Sequence, residues 1–365
     1  MMDFICPYCF NKIKRESLIF ECPDGHRKTA TVMERLSGKV KCSQKGCGKV
    51  ASKILCPNTM CNSQIPNDML ATPNLLFSIV GVSGSGKTNY ITVMLEELSR
   101  TGGLKLALGY QNIETRNIHR KNCKLIYEDH KKPEATPSGG VPPQIWRIKN
   151  LNRQTKTNIQ TYTFSIFDGA GEDHENLDLN SSQCRYIAVS EAIMIVIDPM
   201  ILRSVKNSLN PAVYANSVSF VGDPADKNSG DVVNNISTYI KNISGIGVNQ
   251  KINIPVAVIF SKMDALMDDF RNRPVSNSSP HEKEGCFLYS DCRAVDADIR
   301  SWLISNGESA FMNALEANFK EFTFFGVSSY GSVPKSADEL YAVHPHRVLD
   351  PILWFFAKKN YIDSK

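Results

Sequence analysis

The chain has 365 residues, enough for two domains, and its 42% hydrophobic and 22% charged content is ordinary for a globular protein. Its apolar runs reach only strand length, and the first residues lack the basic stretch and apolar core of a secretory signal. These features predict a cytoplasmic, reducing location and no membrane partner. The formal net charge of +5 lies entirely in the first 72 residues, where 11 Lys and Arg stand against 6 Asp and Glu.

Soft metal ligands are concentrated in the same segment, which holds seven of the 11 cysteines. Thiolate and imidazole groups in sets of four are the ligands of structural Zn²⁺, and disulfides are a poor alternative in a reducing cell. Eight ligands predict two Zn²⁺ sites in a ribbon-like module over residues 1–66: Cys6, Cys9, Cys22, His26, Cys42, Cys47, Cys56 and Cys61.

The sequence is compatible with two ways of grouping these ligands into sites. Sequential use would combine the first four ligands and the last four, whereas an interleaved arrangement would join Cys6 and Cys9 to Cys56 and Cys61. The module has too few apolar residues to form a core without metal. We therefore expect metal binding and folding to be one event.

Zinc also changes the electrostatic prediction for this module. Seven bound thiolates and two zinc ions would lower its charge from +5 to about +2. Nucleic acid is therefore a weakly supported partner, and a protein contact is favoured. Residues 67–74, flanked and interrupted by proline, are expected to be a linker to a second domain over 75–365.

The stretch Leu75–Val80 is a continuous apolar run, as expected for a parallel strand buried on both faces. The glycine-rich sequence after it satisfies the pattern G-x-x-x-x-G-K-[ST], in which backbone N–H groups surround phosphate oxygens, the lysine neutralises them and the threonine hydroxyl holds Mg²⁺. The predicted nucleotide-binding residues are Gly81, Ser83, Gly84, Ser85, Gly86, Lys87, Thr88 and Asn89, with Thr88 as the Mg²⁺ ligand.

A helix, a loop and two strands are predicted after the phosphate-binding sequence, and the second of these strands leads into another motif that would contact phosphate. Asn89–Arg100 is predicted to be a helix, and the polar stretch 111–143 a mobile loop. The strands Ile145–Ile148 and Thr161–Phe167 are expected to form a hairpin. Directly after them comes Asp168-Gly-Ala-Gly171-Glu172, in which the carboxylate would hold the Mg²⁺ shell through water and Gly171 would approach the γ-phosphate.

The strand Ile254–Phe260 is followed by the sequence Ser261-Lys262-Met263-Asp264, which predicts the base. The Asp264 carboxylate can accept hydrogen bonds from guanine N1–H and its exocyclic amine, an edge that adenine lacks, while the Lys262 stem would lie over the base. Inserts are expected near 199–252 and 265–320. After a last strand, Phe322–Val327, the backbone amides of Ser328 and Ser329 would reach the base edge.

With these motifs in order, the chain resembles a P-loop GTPase of the Ras-like, translation-factor-related class. More narrowly, it resembles the bacterial double-GTPase families associated with conflict or phage-defence systems, through its zinc-ribbon-like front and the sequences at 197–199, 324–329 and 347–354. The resemblance implies an α/β fold with a mostly parallel central sheet and helices on both faces. It also implies a GTP/GDP-controlled switch acting with an effector or a second GTPase.

Three positions qualify this resemblance. Ser261 replaces the usual Asn or Thr and is expected to weaken a loop-bracing hydrogen bond. Glu172 stands where Ras-like enzymes carry a glutamine, and its charge would repel the γ-phosphate, so we expect slow hydrolysis that needs a partner. Thr136 is the candidate switch threonine, although Thr136-Pro137 equally fits a simple turn.

Two other functions are compatible with these motifs. A P-loop ATPase or small-molecule kinase would need an acceptor site that the sequence does not reveal. A zinc-ribbon adaptor for protein or nucleic acid would bind nucleotide without turnover.

Overall fold

The computed structural model describes residues 4–81, 84–134, 142–168, 185–217, 229–336 and 339–365. The strands in these ranges are β1 (Phe4–Ile5), β2 (Lys12–Ile13), β3 (Ile19–Glu21), β4 (Arg27–Thr29), β5 (Lys53–Leu55), β6 (Asn74–Val80), β7 (Leu106–Tyr110), β8 (Gln144–Gln154), β9 (Ile159–Asp168), β10 (Ala192–Ile197), β11 (Val256–Phe260) and β12 (Phe322–Gly326).

Helices lie between these strands and after the last of them. The α-helices are Val32–Ser37, Asp68–Ala71, Lys87–Arg100, Ile113–Cys123, Arg185–Val189, Arg203–Ser208, Pro211–Ser217, Ser229–Ser244, His281–Glu284, Tyr289–Ser305, Ser309–Asn318 and Asp350–Lys358, and Lys124–Glu128 is a π-helix. Within the described ranges, no helix combines the length and the apolar character needed to cross a bilayer.

Seven strands form the central sheet in the order β12-β11-β10-β6-β9-β8-β7. The five strands β9, β6, β10, β11 and β12, which are neighbours in that order, are all parallel. In contrast, β8 is antiparallel to both of its neighbours, β7 and β9. The predicted hairpin is therefore confirmed as β8 and β9. The arrangement is the Ras-like α/β fold that the motifs predicted.

Parallel pairing brings the sequence motifs to one edge of this sheet. Gly81 follows β6, Asp168 ends β9, Ser261 follows β11, and Ser328 lies two residues beyond β12. Because parallel strands end at the same edge, segments that are distant in sequence become neighbours there.

Alternate residues of the inner strands pack on opposite faces of the sheet. On one face, Ile193 and Ile195 of β10 join a cluster with residues of the helices Ser229–Ser244 and Tyr289–Ser305. On the other, Met194 and Val196 pack with residues of Lys87–Arg100 and Asp350–Lys358. Every residue of β10 is buried, which explains its unbroken apolar sequence.

The cysteine-rich module consists of the hairpin β1-β2 and a small antiparallel sheet in the order β4-β3-β5. Its contact with the central sheet is built around Phe10, whose ring lies 5.5 Å from that of Phe167 and 5.8 Å from that of Tyr186, centroid to centroid. In return, Ile145 of β8 packs in the small core of the module. The two parts thus share buried residues.

The prediction of a loop over 111–143 is wrong for its first part. Ile113–Cys123 is a helix, capped by Asn112, whose side-chain oxygen accepts the N–H of Thr115 at 2.8 Å. The buried residues of this helix are Thr115 and His119 rather than aliphatic ones. The sequence therefore lacks the helical spacing of apolar residues by which an amphipathic helix is recognised.

The N-cap of the helix Tyr289–Ser305 is Leu288, and the Asp291 carboxylate in its first turn forms an ion pair with Arg347. The segment 67–74, expected to be a linker, contains the helical turn Asp68–Ala71 and the first residue of β6, Asn74.

Candidate functional site

The phosphate loop is shaped by two glycines for different reasons. At Gly81, a Cβ atom would lie 2.3 Å from the carbonyl oxygen of Val196, so only glycine allows β6 and β10 to approach there. Gly86 has φ 87° and forms the N-cap of Lys87–Arg100, a left-handed conformation that favours glycine. The loop thus places the N-terminus of a 14-residue helix at the sheet edge, where its dipole favours phosphate.

Side chains at the start of this helix are already arranged for a triphosphate and a metal ion. Lys87 Nζ donates to the carbonyl oxygen of Gly81 at 2.8 Å. Thr88 Oγ1 donates to Asp168 Oδ2 at 2.8 Å, across 80 residues of sequence. A hydroxyl next to a buried carboxylate is a suitable oxygen pair for Mg²⁺, the hydroxyl as direct ligand and the carboxylate through water.

Asp264 is held at the other end of the same edge. Ser328 Oγ donates to Asp264 Oδ1 and accepts the N–H of Gly331 at 2.8 Å. Burial raises the pKa of Asp264 above its ordinary value, and the hydrogen bond from Ser328 acts in the opposite direction. The carboxylate is therefore fixed in orientation.

Lys262 is anchored by a carboxylate that comes directly after β10. Its Nζ lies 2.6 Å from Asp198 Oδ2 and donates to the carbonyl of Ser217 at 2.7 Å. Asp198 also caps the next turn by accepting the N–H of Met200 at 2.9 Å. The end of β10 thus fixes the direction of the lysine stem.

Ser261 forms the hydrogen-bonding contacts between loops that its replacement of Asn or Thr was expected to weaken. Its Oγ lies 3.0 Å from the carbonyl oxygen of Ser85 and 3.1 Å from that of Ile197. The first contact ties the base-recognition loop to the phosphate loop directly.

These groups surround one cavity of about 240 Å³. Among the predicted residues, the ones that line it are Gly84, Ser85, Gly86, Lys87, Thr88, Asn89, Lys262, Asp264 and Ser329. Ser261 lines it as well. The groups predicted to bind phosphate and those predicted to recognise guanine therefore line the same cavity.

Comparison with known sequences decides the family. The sequence profile described as Double-GTPase 2 matches residues 75–341, most of the chain. The chain belongs to the Double-GTPase 2 family.

Individual proteins similar to this Double-GTPase 2 protein share at most 22% sequence identity with it in the examples that follow. The "Putative ESX-1 scaffolding and assembly protein SaeC" of Mycolicibacterium smegmatis (strain ATCC 700084 / mc(2)155) is 22% identical over 335 residues, covering 82% of this chain and 78% of its own. The nucleotide-bound Arl6 BBS3 small GTPase of Trypanosoma brucei aligns at 11% identity and a TM-score of 0.29, over 70% of this chain and 87% of that one. The signal recognition particle receptor SRb-GTP/SRX complex of Chaetomium thermophilum aligns at 12% identity and a TM-score of 0.32, over 73% and 95%.

Several cavity residues of the Double-GTPase 2 site were not predicted. Tyr330 and Pro334 follow the predicted serines, and Ser217 reaches the site from the insert after β10. Lys132 and Glu134 come from the segment after the unpredicted helix. Tyr330 could have been predicted as a cavity residue because it follows Ser329 directly, whereas Ser217 belongs to no recognisable sequence motif.

The placement of the two base-edge serines differs from expectation. The backbone N–H of Ser328 donates to the carbonyl of His346 at 3.0 Å, so this amide is directed away from a base. Ser328 acts instead through its hydroxyl on Asp264, and Ser329 is the one that lines the cavity.

Four predicted residues lie outside the described residues. They are Ser83, Thr136, Gly171 and Glu172.

The predicted metal ligands of the N-terminal module gather into two groups of four. Cys6, Cys9, Cys56 and Cys61 form one, and Cys22, His26, Cys42 and Cys47 form the other. This is the interleaved arrangement, because β3 pairs with β5 and brings the ends of the module together. The sequential grouping is therefore wrong.

The spacing of these atoms fits tetrahedral zinc. In the first group, Cys6 Sγ lies 3.9 Å from Cys61 Sγ, and Cys9 Sγ lies 3.8 Å from Cys56 Sγ. Zn–S bonds of about 2.3 Å place tetrahedral sulfurs about 3.8 Å apart.

The second group passes the same test. Cys22 Sγ lies 3.8 Å from Cys47 Sγ and 3.5 Å from His26 Nδ1, and Cys42 Sγ lies 3.7 Å from the same nitrogen. Zinc bound to one sulfur and one nitrogen separates them by about 3.6 Å. Both sets of side chains therefore fit structural Zn²⁺.

Proposed function

We propose that this Double-GTPase 2 protein is a Mg²⁺-dependent GTP switch that hydrolyses GTP slowly. One observation carries the proposal: Asp264 and the pair Thr88 and Lys87 face the same cavity. Bound GTP would place its guanine edge at Asp264, its phosphates at Lys87, and Mg²⁺ at Thr88 with Asp168 nearby. Mg²⁺ would neutralise the phosphates, while these residues orient the nucleotide.

The fixed carboxylate favours guanine over adenine. Asp264 accepts from N1–H and the exocyclic amine of guanine, whereas adenine presents an unprotonated N1 and no C2 amine. A site built around such acceptors rejects a base without the donors by an order of magnitude of 10³ or more. This argues against the ATPase or kinase alternative.

The decisive experiment is a titration of the Mg²⁺-loaded protein with GTP, GDP, ATP and xanthosine triphosphate. Replacing the carboxylate by an amide in Asp264→Asn should weaken GTP binding by about 10²-fold, because a charged acceptor of two hydrogen bonds is lost. The same variant should gain affinity for xanthosine triphosphate, whose C2 carbonyl accepts from the new amide.

Asp268→Asn is the matched control, because this nearby carboxylate is 89% exposed and pairs with Arg271 on the surface. It should leave the nucleotide preference unchanged. Equal affinities of the wild-type protein for ATP and GTP would contradict the proposal.

Slow turnover follows from Glu172, which by sequence stands at the water-orienting position. A carboxylate there would repel the γ-phosphate, so Glu172→Gln should accelerate single-turnover hydrolysis. A slower Glu172→Gln enzyme would show instead that the carboxylate acts as a general base.

We also propose that the switch acts through a protein partner, an effector or a second GTPase. The relative from M. smegmatis carries scaffolding and assembly in its name, and the resemblance to conflict-associated double GTPases suggests a defence system as the setting. The zinc module offers a contact surface, since Val32, Met33 and Leu36 of one short helix are 62%, 75% and 70% exposed.

This surface favours the adaptor function as a second candidate. Under that alternative, partner binding would depend on residues 1–70 and would not respond to nucleotide. Pull-downs from cells of the source organism, with the protein loaded with GTP analogue or GDP, distinguish the two. A partner retained only in the GTP state supports the switch.

A further inference from the structure

We propose that Glu96, His119 and Cys123 form a third metal site, separate from the two zinc groups, that binds one divalent transition ion such as Zn²⁺. The site lies between the helix Lys87–Arg100, which begins at the phosphate loop, and the helix Ile113–Cys123. His119 and Cys123 are one helical turn apart, so both face Glu96 of the neighbouring helix.

The three ligand atoms form a triangle close to one face of a tetrahedron. Cys123 Sγ lies 3.5 Å from His119 Nε2 and 3.5 Å from Glu96 Oε2. His119 Nε2 lies 3.9 Å from Glu96 Oε2. Zinc bonds of about 2.0–2.3 Å predict edges of about 3.3 Å between nitrogen and oxygen and about 3.5 Å to sulfur. The longest edge must therefore shorten by about 0.6 Å, through rotation of the glutamate.

The atoms that would not bind metal already have suitable partners. His119 Nδ1 lies 3.3 Å from the Tyr110 hydroxyl, which can accept its proton when Nε2 is a ligand. Because Nδ1 is also 3.6 Å from Cys123 Sγ, the imidazole must turn so that Nε2 alone faces the ion. Glu96 Oε1 is paired with Arg100 Nη2 at 2.8 Å, which leaves Oε2 directed at the thiol. Such outer contacts orient the ligands of metal sites.

The proposed ligands differ in their exposure to solvent, with a buried histidine and a partly exposed glutamate. His119 is 2% exposed, so its imidazole is shielded from bulk solvent where it faces Cys123 and Glu96. The Glu96 side chain is 21% exposed, which leaves a route from solvent to the three ligand atoms.

The ligand set selects the ion. One thiolate, one imidazole and one carboxylate suit Zn²⁺ or Co²⁺, whereas Mg²⁺ and Ca²⁺ prefer oxygen ligands alone. A bound ion would join the helix of the phosphate loop to the helix that precedes residues 129–134. The ion would thus act as a structural clamp between these two helices.

The test is a Co²⁺ titration of the full-length protein after its two cysteine-rich sites have been filled with Zn²⁺. Wild-type protein should bind one further equivalent with a thiolate-to-cobalt charge-transfer band. A Co²⁺ ion at the Mg²⁺ position would lack that band, because its ligands are oxygens. Cys123→Ser should abolish the band, and Tyr110→Phe should weaken binding by about tenfold to a hundredfold.

Cys286→Ser is the control, because Cys286 is buried and belongs to none of the metal-ligand groups among the described residues. It should keep the band, and GTP binding by each variant verifies that it is folded. Absence of a saturable band in the wild-type protein would overturn the proposal, as would an unchanged band in Cys123→Ser.

Discussion

The zinc module and the central sheet obtain their stability in different ways. Among the described residues, the small core of the module has eight buried members, which include the candidate metal ligands Cys6 and Cys56 as well as Ile145 of β8. The sheet instead has a large apolar cluster on each face. So little apolar area offsets only part of the conformational entropy of folding, so we expect bound metal to supply the difference.

This comparison predicts that removal of zinc has the largest effect. A strong chelator should unfold residues 4–66 while β6, β10 and β11 stay protected, because structural zinc contributes about 10–16 kcal/mol per site. Hydrogen exchange measured by mass spectrometry checks this segment by segment. Unchanged protection of β3 and β5 after complete zinc release would contradict it.

Phe10→Ala tests the joint between the two regions. Phe10 is 6% exposed and packs on Phe167, directly before Asp168, so its truncation should cost about 3–5 kcal/mol in the free energy of unfolding. We also expect weaker Mg²⁺-dependent GTP binding. Denaturant melts and nucleotide titrations measure the two effects.

The matched control is Phe20→Ala, which changes a half-buried ring of the module on β3. It should destabilise the module without altering GTP affinity. If both variants change GTP binding equally, the contact at Phe10 has no special role in coupling.

The pH dependence of nucleotide binding should separate the regions further. Burial raises the pKa of Asp264, and guanine needs the ionised carboxylate. GTP affinity should therefore be complete above this raised pKa and fall, by at most about tenfold per pH unit, as the pH decreases through it. The decline should begin at a higher pH than for an ordinary aspartate.

Asp264→Asn should lack this decline in GTP affinity, as measured by calorimetry over the range in which zinc remains bound. Zinc content must be measured in parallel, because protonation of thiolates also releases the metal at low pH. An identical pH profile in the variant would assign the effect to another group.

Ser261→Ala should have the smallest effect. It removes one neutral hydrogen bond to the Ser85 carbonyl, worth about 1 kcal/mol or about fivefold in GTP affinity. Ser261→Thr, which restores a hydroxyl, should bind like the wild-type protein. Zinc content should be unchanged in both variants, since the position lies in the sheet domain.

The sequence predicted the motifs well where chemistry requires a fixed residue type at a fixed spacing. Lys87 and Thr88 lie at the start of a helix, and Asp264 follows a buried strand, as expected. It failed for Ile113–Cys123, because the buried face of that helix is polar and gives no hydrophobic period. It also missed Asp198 as the partner of Lys262, since 64 residues separate them.

The sequence by itself determined which atoms are available: eight zinc ligands, a phosphate loop, and a carboxylate suited to guanine. The tertiary structure decided which of them meet. Pairing of β3 with β5 selected the interleaved zinc groups, and the parallel order of the sheet brought Asp168 to Thr88. Local spacing restricts only near neighbours, whereas contacts between distant segments depend on how the strands are ordered.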